Sequence, residues 1–271
     1  MSATPYALAD LLALMARLRD SEHGCPWDLK QNFASIVPHT LEEAYEVADA
    51  IEQQDWPHLE EELGDLLFQV VFYSQLGKEQ SLFDFESVVS RITDKLLRRH
   101  PHVFPDGRLD TPPSSVSLSE TEINANWERI KQEERNDKKR QAVLADIPLS
   151  LPGLSRADKL QKRASQVGFD WHDPLLVLDK IEEEIAELRE AIASGNQDAV
   201  KDEMGDLLFA QVNLARHLGV SAESAVRSTN QKFERRFNHI EARVKVSGQS
   251  WQDFNLDQLD QWWDEAKAKG L

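Results

Sequence analysis

The sequence predicts an all-α protein made of two tandem copies of a small helical bundle, on three observations. Apolar residues recur at helical spacing nearly throughout, no segment sustains the apolar–polar alternation of a half-buried strand, and motifs of the first half return in order in the second. Leu11, Leu14, Met15 and Leu18 form an i, i+3, i+4, i+7 stripe, which predicts an amphipathic helix. Cys25-Pro26-Trp27-Asp28 reads as a turn. Leu41, Ala44, Tyr45 and Ala48 repeat the helical stripe, and Thr40 followed by Glu43 has capping-box spacing, so a helix start is expected at Thr40. From Leu59 to Phe72 the wheel is apolar on nearly every side, leaving Glu62, Asp65 and Gln69 as a narrow polar stripe. Such a helix is expected to be buried.

Residues 101–119 contain Pro105, Gly107, Pro112 and Pro113 and read as a loop with no counterpart of similar length in the second half. The polar stretch 133–140 and the segment Ile147-Pro148-Leu149-Ser150-Leu151-Pro152-Gly153 read as a connector, because its prolines and glycine disfavour continuous helix. The expected organisation is an N-terminal domain at 1–135, a linker at 136–153 and a C-terminal domain at 154–271.

The duplication is specific. Glu42-Glu43-Ala44-Tyr45-Glu46 matches Glu183-Glu184-Ile185-Ala186-Glu187, and Glu62-Leu63-Gly64-Asp65-Leu66-Leu67-Phe68 matches Glu203-Met204-Gly205-Asp206-Leu207-Leu208-Phe209, both at an offset of 141 residues. Lys95-Leu96-Leu97-Arg98-Arg99 then matches Lys232-Phe233-Glu234-Arg235-Arg236, and Trp127-Glu128-Arg129-Ile130-Lys131 matches Trp263-Asp264-Glu265-Ala266-Lys267. Phe169-Asp170-Trp171 is a looser counterpart of Trp27-Asp28.

The formal net charge is −17, and it is concentrated. Ten acids and no Lys or Arg lie between Glu42 and Asp65, and nine acids face only Arg189 and Lys201 between Glu182 and Asp206, which leaves the remainder balanced. Such a surface repels nucleic-acid phosphate and anionic lipid, so neither is an expected partner. No apolar run reaches the roughly 18–20 residues that span a bilayer, the N-terminus lacks a secretory pattern, and the one cysteine, Cys25, cannot form an internal disulfide. The expected location is the cytoplasm.

Four carboxylates of the first half share helix faces in pairs: Glu43 with Glu46, and Glu62 with Asp65, each at i, i+3. Glu184, Glu187, Glu203 and Asp206 take the same places in the second half. Facing carboxylates raise one another's pKa unless a multivalent cation sits among them, and all-oxygen ligation suits Mg²⁺ or Mn²⁺. Glu42, Asp49, Glu52, Glu60 and Glu61 read instead as a solvated helix face. Lys95 with Arg99, and Lys232 with Arg236, have i, i+4 spacing that suits either clasping polyphosphate oxygens or pairing with the acidic excess. Trp127 with Lys131, and Trp263 with Lys267, offer a stacking plane and a cation for a nucleotide, or a core aromatic with a surface lysine. His100-Pro101-His102 has no repeat and reads as structural, and no glycine-rich phosphate loop is present.

With Cys25-Pro26-Trp27-Asp28, the ExxE and ExxD pairs, Arg98-Arg99-His100-Pro101-His102-Val103-Phe104, Val167-Gly168-Phe169-Asp170-Trp171 and Lys232-Phe233-Glu234-Arg235-Arg236-Phe237, the whole chain resembles the MazG family of all-α nucleoside triphosphate pyrophosphohydrolases. The resemblance implies Mg²⁺-dependent hydrolysis between the α and β phosphates, broad base tolerance, nucleotide-pool clearance and an intertwined homodimer. It implies Mg²⁺ ligation by Glu184, Glu187, Glu203 and Asp206, with Glu43, Glu46, Glu62 and Asp65 equivalent in the first copy. It further implies phosphate binding by Lys232, Arg236 and Lys267 and nucleoside contact by Trp263, with Lys95, Arg99, Trp127 and Lys131 as first-copy counterparts. Glu183 is the candidate general base. A di-iron carboxylate bundle is disfavoured because the i+3 partners are never His. The remaining alternative is a helical adaptor or regulator that binds Mg²⁺-nucleotide without hydrolysing it.

Overall fold

The computed structural model describes residues 5–110, 112, 118–137 and 142–271, and among these there are helices and turns but no strand. The chain divides into two compact units, Met1–Arg135 and Asn136–Leu271. In the first unit α1 spans Leu8–Leu18, α2 Phe33–Gln53, α3 Trp56–Glu79, α4 Phe85–Arg99 and α5 Glu120–Asp137. In the second α6 spans Gly153–Ser165, α7 Pro174–Ser194, α8 Gln197–His217, α9 Ala222–Ser247 and α10 Leu256–Ala268. Among the described residues no helix is long and apolar enough to cross a membrane.

Each unit is organised around an antiparallel helix hairpin closed by a two-residue turn. Between α2 and α3 the turn is Gln54-Asp55: Gln54 takes the left-handed conformation at φ 58°, and the Asp55 carboxylate caps α3 by accepting from His58 N. Between α7 and α8 it is Gly195-Asn196, with Gly195 at φ 70° and the Asn196 side chain accepting from Asp198 N and Ala199 N. The second unit therefore has a residue without a Cβ penalty where the first tolerates Gln54. In the first unit Met15, Ile36, Val71, Phe72 and Leu76 form the buried core, with Leu11, Leu12, Phe33, Phe68, Tyr73 and Phe85 packed around it. Gly77 lets this core close, since a Cβ there would stand 2.7 Å from the Phe83 ring.

Three expectations are corrected. The helix containing Thr40 starts seven residues earlier, at Phe33, because Asn32 and Ser35 form the capping box. Pro38 lies inside that helix, and Thr40 Oγ1 bonds Ile36 O and the Tyr73 hydroxyl at 3.1 and 3.0 Å instead of capping. Glu133 and Glu134 belong to α5 and not to a connector: Glu133 pairs with Arg129 at i, i+4 and Glu134 with α4. Finally, α3 is not covered all round, since Leu63, Leu67 and Val70 are exposed, as are Leu41 and Tyr45 of α2. Within its unit α3 packs on α1, α2 and α4, which is too few neighbours to bury every apolar side. The expected linker, 136–153, includes the end of α5 and the first residue of α6, and residues 138–141 within it, like 111 and 113–117 of the expected loop, lie outside the described residues.

Candidate active site

The two hairpins each bring carboxylates together. Glu43 of α2 and Glu62 and Asp65 of α3 place ligating oxygens within 4.8 Å of one another, and Glu184 and Glu187 of α7 with Glu203 of α8 do the same. Glu46 joins the first cluster through a contact with Glu62. Asp206 stands beside Glu184 in the wall of a neighbouring cavity. The helix period explains the arrangement, because i, i+3 carboxylates share one stripe and the hairpin turns the two stripes face to face.

Both clusters carry a buried carboxylate with an unsatisfied oxygen. Glu62 and Glu184 are 7% and 5% exposed, and Oε2 of each has no hydrogen-bond partner. An ionised oxygen buried without a partner is costly, so the donor set fits a cation that would take up these lone pairs. The electrostatics agree. Burial, then the charges of Asp65 and Glu46, pushes the Glu43 carboxyl above its usual range. Burial, then the charge of Glu46, does the same to Glu62, and burial again raises Glu187 against the opposing pull of Lys180.

The fold supplies a basic neighbour to each cluster that the carboxylate pairing alone does not predict, although each has i, i+4 spacing. His58 Nε2 lies 2.7 Å from Glu62 Oε1, while Lys180 Nζ reaches Glu183 Oε1 and Glu184 Oε1 at 2.8 Å each. The bonds to Glu183 and then Glu184 hold the Lys180 ammonium charged far beyond its ordinary range. Glu183, the candidate base, is thus held in an ion pair on the exposed side of α7.

In the second unit a cavity of about 340 Å³ adjoins the cluster. Glu184, Asp206 and Lys180 occupy its polar side, and Phe169, Trp171 and Phe209 are in its apolar wall. That volume and lining suit a heterocycle-sized ligand. In the same lining Asp170 accepts from Arg216 Nη2 at 2.5 Å and contacts His217 Nε2 at 3.1 Å. Phe169 and Trp171 stood out in the sequence only as a motif.

The predicted basic and aromatic residues form their own groupings on other helices. Arg236 Nε donates to Leu271 O at 2.8 Å and its guanidinium lies over Trp263, whose ring also meets Phe233 at 5.2 Å. Lys267 pairs with Asp264, Lys232 is half-buried on α9, and neither Trp263 nor Lys267 lines the cavity. In the first unit Arg99 is drawn to Glu134, with Nη2 2.6 Å from Oε2, while Arg98 holds Oε1 at 2.7 Å. Lys95 is exposed, Trp127 packs on His100 at 5.3 Å with its indole nitrogen unpartnered, and the Lys131 side chain lies outside the described residues.

Comparison with known proteins adds to this geometry. The family model described as the MazG nucleotide pyrophosphohydrolase domain matches residues 31–104 and again 172–241. A nucleoside triphosphate pyrophosphohydrolase of Escherichia coli K12 is 50% identical over 265 residues, covering 96% of this chain and 97% of its own. The Thermotoga maritima protein named nucleoside triphosphate pyrophosphohydrolase/pyrophosphatase MazG is 41% identical, covering 96% and 95% respectively. A solved MazG-related protein from Thermotoga maritima is 26% identical, with a TM-score of 0.38, over 46% of this chain and 99% of that one.

Proposed function

We propose that this chain, which belongs to the MazG nucleotide pyrophosphohydrolase family, converts nucleoside and deoxynucleoside triphosphates with water into monophosphates and pyrophosphate, using Mg²⁺, with broad base tolerance. The observation that carries the reading is the cluster of three carboxylates with an orphaned, buried oxygen beside a heterocycle-sized cavity. When bound, Mg²⁺ (or Mn²⁺) would neutralise triphosphate charge and make an attacking water more acidic.

The chain's own residues supply the rest. Glu184, Glu187, Glu203 and Asp206 hold the cation, and Glu43, Glu46, Glu62 and Asp65 form the equivalent set. Phe169, Trp171 and Phe209 shield the base from water, and Gln161, Asn213 and Arg216 in the same lining are the polar groups that meet its edge. Water oxygen forms a bond to the α phosphorus as the bond from that phosphorus to the α–β bridging oxygen breaks, and this oxygen leaves with pyrophosphate. The water proton passes to Glu183, which requires Lys180 Nζ to release it and turn to the phosphates. Lys232, Arg236 and Lys267, none of which lines the cavity, add phosphate contacts only by turning toward it, Lys267 leaving Asp264 and Arg236 leaving Leu271 O, and Trp263, which now lies beneath Arg236, would then meet the nucleoside.

The exposed apolar residues of α2 and α3 support a homodimer in which a second copy covers them. A role in clearing nucleotides from the cytoplasm follows from the reaction. The test is to incubate the protein with each NTP and dNTP plus Mg²⁺ and identify products. Monophosphate with pyrophosphate is expected; diphosphate with orthophosphate, or no reaction with any nucleotide, overturns the reading.

A further inference from the structure

We infer that the first carboxylate cluster is a mixed oxygen–nitrogen metal site with His58 Nε2 among its ligands, so that it takes transition-metal ions such as Co²⁺ or Mn²⁺ more tightly than the second cluster does. The inference rests on the reading that both clusters hold a divalent cation, and it assigns the two copies different metals.

His58 and Glu62 are i, i+4 on α3, which puts both side chains on one face of the helix. Their ligating atoms are 2.7 Å apart. Two adjacent ligands on one ion, each roughly 2.1 Å from it, stand about 3 Å apart, so the pair is spaced for a shared metal without moving the backbone. Glu62 offers its second, unpartnered oxygen as well, and Glu43, Glu62 and Asp65 each place one ligating oxygen within 4.8 Å of the others, a group that the His58 imidazole joins by a change of its side-chain rotamer. The imidazole is half-exposed, which leaves a route for the ion from solvent.

The second unit lacks this nitrogen. The residue four before Glu203, in the position matching His58, is Ala199. The basic group at that cluster is the Lys180 ammonium, which has three donors and no lone pair while protonated. In the position matching Lys180 the first unit carries His39, which faces Glu42 at 3.7 Å and leaves the cluster itself without an ammonium. Imidazole strengthens binding of first-row transition ions in the Irving–Williams order and adds little for Mg²⁺, whose preferred ligands are oxygen.

The test uses the full chain, stripped of metal, with no nucleotide present. Co²⁺ binding is followed by calorimetry and visible absorption, and the Mn²⁺-loaded protein is examined by pulsed electron paramagnetic resonance for a directly coupled ¹⁴N nucleus. Wild type is expected to show two classes of Co²⁺ site and a nitrogen coupling. His58→Ala should weaken the tighter class at least tenfold, erase the coupling, and leave Mg²⁺ affinity within about threefold. His58→Asn, which preserves size and some polarity next to the α3 cap, should give the same loss if the alanine variant folds poorly. A wild-type Mn²⁺ complex with no coupled nitrogen, or a His58 variant with unchanged Co²⁺ affinity, overturns the inference and leaves His58 as a hydrogen-bond partner of Glu62. A coupled nitrogen in a protein that produces no monophosphate would instead overturn the proposed reaction while this assignment stood.

Discussion

Glu134 is a carboxylate that two arginines of the first unit neutralise together, and replacing it by glutamine should measurably loosen α5 from α4. Arg98 reaches Oε1 with Nε and Nη2 at 2.9 and 2.7 Å, and Arg99 Nη2 reaches Oε2 at 2.6 Å. The bond from Arg99, followed by that from Arg98, lowers the carboxyl from an ordinary 4.5 to about 2, against the effect of burial. In full, such a drop is worth about 3.4 kcal/mol. Arg98 is 55% exposed, so solvent screening and side-chain ordering leave about 1–2 kcal/mol as the expectation. Because the folded-state pKa is depressed, this stability is present above the unfolded value and lost as pH falls from about 4.5 to about 2. Urea unfolding of wild type and Glu134→Gln should therefore differ by roughly 0.5–1 M in midpoint at pH 7 and almost as much at pH 5. At pH 3 roughly 40% of the gap should remain. No difference at pH 7, or a gap undiminished at pH 3, would refute the reasoning. The same substitution frees Arg99 for phosphate, so binding of inorganic triphosphate to the first unit should rise.

Mg²⁺ added to metal-free protein at about a hundred times its dissociation constant should stabilise each unit by about 2.7 kcal/mol, read as a rise in Tm, and Glu184→Gln should remove the second unit's gain. That stabilisation should grow as pH rises above the ordinary carboxylate range. The pKa values of Glu43, Glu62 and Glu187 are raised in the fold, so without metal these groups favour folding at low pH and oppose it once ionised, the form the cation needs. Glu187→Ala and Asp206→Ala should abolish most pyrophosphate release and Glu46→Ala should reduce it less; equal losses would show that both copies turn over. Gln54→Gly, at a left-handed position where the other unit has Gly195, should raise stability by about 0.5–1 kcal/mol in thermal unfolding. Leu63→Asp with Leu67→Asp should convert a dimer to a monomer in light scattering, and an unchanged mass would remove α3 from the interface.

Helix content and the pairing of carboxylates were legible because both follow from periodicity: i, i+3 spacing survives any packing arrangement. Boundaries were less so. Thr40 and Glu43 imitate a capping box, but Asn32 and Ser35 supply a real one upstream, and Pro38 costs α2 a single backbone bond without ending it. The sequence does not say which acids the fold will neutralise, since Glu134 meets Arg98 and Arg99 across some 35 residues of chain. Nor could it locate Phe169 and Trp171 in a cavity wall with Asp206, because that depends on how α6, α7 and α8 pack. His58 and Lys180 are different. Their i, i+4 spacing to Glu62 and Glu184 is present in the sequence, but the same spacing is common on solvated helix faces and marks no site by itself.

The treatment of individual acids separates structural from functional carboxylates. Glu79 is drawn below its usual range by Arg19, and Glu134 by Arg99 and Arg98. Burial pushes Asp170 and Glu265 upward, yet the bonds from Arg216 and His217 to the first, and from Arg243 and His239 to the second, outweigh it. The fold can therefore bring guanidinium groups to its acids where it has reason to. At the two hairpins it does not: Glu43, Glu62 and Glu187 are raised, and Glu62 and Glu184 keep an oxygen with no donor. A chain that gives arginines to Glu79, Glu134, Asp170 and Glu265 while leaving the buried Glu62 and Glu184 short of donors has kept those lone pairs for something outside the polypeptide. With a net charge of −17, only a bound cation lets such a surface approach a triphosphate, so the metal is as much a condition of substrate capture as of chemistry.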